Sequence, residues 1–223
     1  MHQRKSKRIF IYFVLLLIFG SINNINLSKT KFKKIENINI LGLSIISKEI
    51  LLKEIKNLNL ENIFFLNDDK IKSIIDKNSL VEEYQVFKKY PSTLNVEIKK
   101  TIFLAKINHN DEIFIIGSNG KLTKNNPSIK GLPYIFGSPN ISEFLNFRKL
   151  IEDSKIQYSS IKNLYFFKSK RWDIELKNNI LIRLSEKNVK ESLDDVFEVM
   201  KDNNLINTRV IDARVKNQII LNG

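Results

Sequence analysis

The side chains able to do acid-base, nucleophilic or metal chemistry are few and scattered. Histidine occurs only at His2 and His109 and cysteine not at all, which excludes a cysteine-type zinc site, a thiol nucleophile and a disulfide framework. His109 lies in Asn108-His109-Asn110-Asp111, a turn composition in which a solvated imidazole needs no further account. Two pairs of adjacent carboxylates occur, Glu82-Glu83 and Asp194-Asp195. Neighbours on a strand point to opposite faces and neighbours on a helix diverge, so neither pair can converge on a substrate as acid and base. Both are expected on solvated faces. No glycine-rich phosphate loop and no G-x-S-x-G elbow is present. The residues therefore predict a chain with no catalytic group, cofactor, metal or small-molecule substrate.

Association chemistry remains, and charge is the first guide to it. The formal net charge is +13, and residues 1–34 hold +8 of it through Arg4, Lys5, Lys7, Arg8, Lys29, Lys31, Lys33 and Lys34, with no acid among them. Only +5 is left for the other 189 residues, which are rich in Lys, Asn and Ile and carry five scattered arginines. A nucleic-acid surface needs a basic face with interleaved aromatics or bidentate arginines, and this distribution does not supply one. The charge belongs instead with the apolar run that it flanks, from Ile9 to Phe19.

That run, behind a basic tail, has the layout of a membrane anchor or of a signal peptide. A helix over residues 9–22 is about 21 Å long against a hydrocarbon core of about 30 Å, so spanning requires the stretch to Leu27, or local thinning and snorkelling. The exit Phe19-Gly20-Ser21-Ile22-Asn23 lacks the small-residue pair that signal peptidase reads, which favours retention. The expectation is a cytoplasmic tail over 1–8, an anchor helix over 9–27 and a translocated remainder. Lys and Arg counts on the two flanks are balanced and give no orientation by themselves.

Beyond the anchor, Ile35 to Ile40 alternates apolar and polar like a half-buried strand and stops at Gly42. Helical spacing follows in Ile50, Leu51, Ile55 and Leu58, with Ser47 as cap, and a second short helix starts near Asn67 or Asp68 with Ile71, Ile74 and Ile75 on its inner stripe. Strand patterns cover 81–89 and 94–100, joined through Tyr90-Pro91-Ser92-Thr93. After Ala105 the pattern becomes mostly β: a hairpin around Ser118-Asn119-Gly120, a helix near 142–153, strands over 161–167, 171–176 and 180–184, a helix from 189 to 203, and extended segments over 209–214 and 217–221. Trp172 and Tyr165-Phe166-Phe167 fit either a core or a partner surface. The fold class is thus α+β: an anchor helix, a small βααββ unit over 32–101, and a mostly β unit with flanking helices over 102–223.

These landmarks carry a resemblance. Residues 32–100 resemble a POTRA domain, and Val86 to Val96, with Tyr90-Pro91-Ser92-Thr93 at its centre, is similar to the closing hairpin of that domain in the FtsQ/DivIB family. Leu132-Pro133 with Gly137, Arg171-Trp172-Asp173 before a hairpin, and Ile211-Asp212-Ala213-Arg214 follow the β domain of the same family in order. The chain departs from the family's pattern at Phe103-Leu104-Ala105, where a proline commonly precedes the pair, and at Gly117, commonly acidic. The resemblance implies a non-catalytic bitopic protein of the inner membrane, N-terminus cytoplasmic and C-terminal domains periplasmic, concentrated at the division septum. It implies FtsB- and FtsL-like division proteins and other divisome components as partners.

By position after the Ile211-Asp212-Ala213-Arg214 motif, the resemblance implies Arg214, Val215, Lys216, Asn217, Gln218, Ile219 and Ile220 as the segment engaging the FtsB-like partner. The physics agrees with such a role, because an extended segment near a chain end can sit at a sheet edge, where a partner strand completes its free N–H and C=O groups. The other reading is that this strand merely closes the sheet. Two further classes stay open: a POTRA-bearing component of protein transport or outer-membrane assembly, which usually continues into a β-barrel, and a secreted enzyme with a cleaved signal.

Overall fold

The computed structural model describes residues 3–22, 33–201 and 208–223. The first element, α1 (Gln3–Ile22), begins six residues earlier than the apolar run and so takes in Arg4, Lys5, Lys7 and Arg8. The anchor expected over 9–27 is described only as far as Ile22, and no described helix is long and apolar enough to cross a membrane. The apolar part of α1 is about 21 Å long, and residues 23–27 lie outside the described residues.

The N-terminal unit is a three-stranded sheet carrying two helices. Strand β1 (Asn37–Leu41) pairs in parallel with β3 (Thr93–Lys100), and β3 pairs antiparallel with β2 (Val81–Lys89), giving the order β1-β3-β2. Between β1 and β2 come α2 (Ile45–Lys56) and α3 (Asp68–Lys77). Helix α3 starts where Asn67 accepts a hydrogen bond from Asp69 N at 2.8 Å, satisfying one of the free donors of its first turn. Helix α2 starts at Ile45, behind Ser44 rather than Ser47; the two serine hydroxyls bond each other at 2.9 Å, so neither caps the backbone. Strand alternation then builds the core: Leu94, Val96 and Ile98 face Leu51, Ile55, Ile71 and Ile75, while Asn95, Glu97 and Lys99 take the outer face. Each fully buried Leu or Ile contributes about 1.5–3 kcal/mol. Gly42, with φ +94°, lies so close to Ile98 O that a Cβ would sit 1.7 Å from it.

The C-terminal unit is one nine-stranded mixed sheet, ordered β12-β11-β10-β9-β8-β7-β4-β5-β6. Its strands are β4 (Phe103–His109), β5 (Glu112–Gly117), β6 (Leu122–Lys124), β7 (Tyr134–Phe136), β8 (Ile161–Phe166), β9 (Trp172–Leu176), β10 (Leu181–Leu184), β11 (Val210–Val215) and β12 (Gln218–Asn222). Parallel neighbours need a crossover, and helices supply two of them: α4 (Ile141–Glu152) links β7 to β8, and α5 (Val189–Met200) links β10 to β11. The two helices touch each other and cover the core. Helix α4 opens with a capping box, Asn140 and Glu143 each completing the other's backbone. Trp172 is a core residue, 4% exposed and stacked on Phe147 with ring centroids 4.5 Å apart.

The two units meet along one polar seam. Glu82 accepts from Ser118 Oγ at 2.6 Å and from Thr101 Oγ1 at 3.0 Å. Asn119 Nδ2 donates to the carbonyls of Ser79 and Val81 at 3.0 and 2.7 Å, and Lys121 Nζ donates to those of Asp76 and Asn78. The expected solvated role of Glu82 is thereby corrected, since its carboxylate ties the β5–β6 turn to the N-terminal unit. Glu83 points the other way and pairs with Lys99 at 3.0 Å on the surface. Asp194 and Asp195 are exposed on α5.

Candidate functional site

Strand β12 ends the nine-stranded sheet. It pairs antiparallel with β11, through Ile211↔Leu221 and Asp212↔Ile220 with a register shift before Val215↔Gln218, and among the described residues no strand lies on its other side. The expected binding segment is divided by this hairpin. Arg214 and Val215 finish β11, Lys216 and Asn217 form the turn with Asn217 at φ +58°, and Gln218, Ile219 and Ile220 begin β12. Lys216 Nζ lies 3.4 Å from Glu191 of α5.

Burial sorts these residues by what they can offer. Ile219 packs against the core and is occupied, whereas Gln218 and Ile220 are exposed, as is Leu221, which the expected segment omitted. Val215, Ile220 and Leu221 are 57, 45 and 47% exposed, so the strand edge carries apolar side chains beside its free backbone groups. Leu221 was within reach of a sequence reading, because the extended pattern ran through it; the motif count stopped one residue short.

The motif before the hairpin works by alternation. Ile211 and Ala213 point into the core, while Asp212 and Arg214 point to the opposite face, where Arg214 Nη2 meets Asp212 Oδ2 at 2.6 Å. On that face Arg183 stands in register between Asp173 on one neighbour strand and Asp212 on the other, and Arg171 Nε bonds Asp173 at 3.1 Å. The Arg214 guanidinium holds Asp212 below the usual carboxylate range, whereas burial pushes Asp173 up against the pull of Arg171. Glu175 accepts from Asn163, Lys162 and Tyr165 at 2.9, 2.8 and 2.6 Å, which holds it at about 2. An open groove of about 500 Å³ runs over this face, lined by Tyr165, Phe167, Arg171, Arg183 and Arg214 among others.

His109 ends β4, exposed, its ring edge-on to Phe114 at 6.0 Å. Among the described residues no three His, Asp or Glu side chains converge as metal ligands would. The fold and edge together define a class: a two-unit α+β protein whose last strand is an open sheet edge.

Comparison with known families agrees with that class. Residues 33–100 match the model of the FtsQ-type POTRA domain, and residues 105–214 match that of the C-terminal region of the cell-division proteins FtsQ and DivIB. Among similar proteins, the cell-division protein FtsQ of Rickettsia felis is 27% identical over 225 residues, covering 93% of this chain and 83% of that one. FtsQ of Rickettsia bellii is 28% identical over 195 residues, 83% of this chain and 70% of its own. The cell-division protein DivIB of Clostridium botulinum is 31% identical over 135 residues, 60% and 52% of the two chains. The chain belongs to the FtsQ/DivIB family of cell-division proteins.

Proposed function

We propose that this protein is a non-catalytic scaffold of the division machinery, and that an FtsB-like partner adds a strand to β12 while FtsL-like and other divisome proteins assemble around the pair. The observation that carries the reading is the position of β12 at the end of its sheet, with Ile220 and Leu221 exposed on it. Backbone pairing supplies affinity in such an addition, and the alternating side chains set register. The proposed binding residues are Arg214 to Ile220, extended here to Leu221. Family membership favours this reading over the transport and outer-membrane alternatives. The proposed domain division, a POTRA domain over 32–101 and a β domain over 102–223, assigns recruitment surfaces to the first and strand addition to the second.

The same proposal makes α1 the membrane tether, N-terminus cytoplasmic and both folded units periplasmic, in an inner-membrane protein concentrated at the septum. Ile9, Phe10, Ile11 and Phe19 are exposed and distributed around α1, and a helix apolar on all sides needs an apolar medium. Lys7 and Arg8 can snorkel to one surface, and local thinning accommodates a short span.

An in-cell photocrosslinking scan over residues 209–221 tests the edge. Capture of a small coiled-coil division protein at alternating positions of β12 is the expected result. Silence along the whole segment, with the protein abundant and folded, would move the binding site elsewhere.

A further inference from the structure

Three exposed aromatic rings gather at the end of the N-terminal unit where the chain enters it. Lys34 forms a single antiparallel bridge with Asn62, Ile35 N donates to Glu61 O at 2.9 Å, and Glu36 N donates to Ser92 O at 2.9 Å. Asn62 Oδ1 accepts from the backbone of both Phe64 and Phe65, at 3.0 and 3.1 Å, so one side chain holds the two phenylalanines in a turn beside the entry point. The Phe64 ring lies 4.9 Å from that of Tyr90. Phe64, Phe65 and Tyr90 are 52, 73 and 58% exposed.

Rings of this size dominate burial energetics, and these three residues each stay more than half exposed beside a core that does not include them. Lys33, Lys34, Lys56 and Lys89 are exposed at the same end, with Lys34 and Lys56 lining a shallow groove of about 260 Å³. Glu36 and Glu61 share this end, and Asp68 is taken by Lys88 at 3.1 Å, so the charge is mixed and the rings decide the chemistry. Aromatic rings flanked by lysines are what the headgroup zone of a bilayer selects: the ring body enters, and the ammonium stays at the surface.

The chain itself says which apolar medium lies within reach. Ile22, the last residue of α1, is eleven residues before Lys33, and that length extends at most about 40 Å. Wherever α1 sits in a bilayer, this end of the unit is held that close to the surface, so even weak partitioning is favoured by a high effective concentration. We propose that Phe64, Phe65 and Tyr90, with the surrounding lysines, dock in the headgroup zone of the membrane that holds α1. The N-terminal unit then stands on its entry end, and Ile46, beyond the far end of β1, points away from the lipid. The inference rests on the reading of α1 as the membrane tether.

Full-length chains reconstituted in phosphatidylethanolamine and phosphatidylglycerol vesicles with brominated acyl chains test it, through single tryptophans at L16W in α1, F65W in the patch and I46W at the far end. Trp172, 4% exposed, gives the background measured in the unsubstituted chain. The docked arrangement predicts loss of emission from L16W and F65W and none from I46W, together with a blue shift of F65W. Quenching of L16W while F65W behaves like I46W overturns the docking and leaves the tether standing. Equal quenching of F65W and I46W overturns it too, because the unit then does not stand on one end. Unquenched L16W overturns the tether itself, and the docking with it.

Discussion

Ser118 Oγ donates to the Glu82 carboxylate at 2.6 Å, joining a turn of the nine-stranded sheet to the first residues of β2. Thr101, 5% exposed, donates to the same oxygen. Glu82→Ala removes the charged acceptor shared by Ser118 and Thr101, leaving those two hydroxyls only each other at 3.2 Å, and is expected to lower stability by about 1–3 kcal/mol, read as a lower midpoint in urea. Glu83→Ala is the control: it removes only an exposed ion pair with Lys99, and its effect is expected to stay within about 0.5 kcal/mol.

Adjacent residues of β12 should separate folding from binding. Ile219 is partly buried against the core, so Ile219→Asp sets a charge against apolar side chains and is expected to loosen the β11–β12 hairpin, visible in circular dichroism. Ile220 is 45% exposed, so Ile220→Asp should leave the unfolding midpoint within about 0.5 kcal/mol while weakening capture of the strand partner. Partner capture unchanged in Ile220→Asp would argue against strand addition at this edge.

Acid sensitivity has an identifiable source in Glu175. Hydrogen bonds from Asn163, Lys162 and Tyr165 depress its folded value from the ordinary 4.5 to about 2. A depressed carboxyl contributes stability that is present above pH 4.5 and lost as the pH falls through about 2. Its partner works at the other limit: burial and the Glu175 carboxylate raise Tyr165 from 10.0 to about 12, a contribution complete below pH 10 and lost as the pH rises through about 12. Urea titrations of Glu175→Gln should therefore show a flatter dependence on pH below 4.5 than the unsubstituted protein.

Trp172 tests the core. It stacks on Phe147 and lies 4.8 Å from Phe166, so Trp172→Ala opens a cavity expected to cost about 3–5 kcal/mol, measurable by urea unfolding followed in far-ultraviolet dichroism.

The N-terminal unit was legible because its signals are local. Alternation in Leu94, Val96 and Ile98 and the Asn67 cap each act within a few residues, and the elements fall where those signals put them. In the C-terminal unit the first hairpin and the later strands were legible, but β4, β7 and the strand order were not. Strand β4 follows β3 after only Thr101 and Ile102, and its pairing with β7 depends on residues nearly thirty positions apart. Glu82 read as solvated for the same reason: its partner Ser118 is thirty-six residues away. The pattern separated extended segments over 209–214 and 217–221, and the expected binding segment was drawn across the break, where the turn at Lys216 and Asn217 divides it between two strands.

The two ends of the nine-stranded sheet are not equivalent. Strand β6 is three residues long and carries Lys124, paired with Glu112 at 3.5 Å, whereas β12 has five residues with exposed Ile220 and Leu221. A short charged margin is a poor template for pairing, and a longer apolar one is a good template. Copies of this chain stacking head to tail would have to join the good margin to the poor one, a contact that repeats without closing and leads to fibres. Blunting β6 therefore denies such a stack its second margin and leaves β12 as the described edge better suited to pairing.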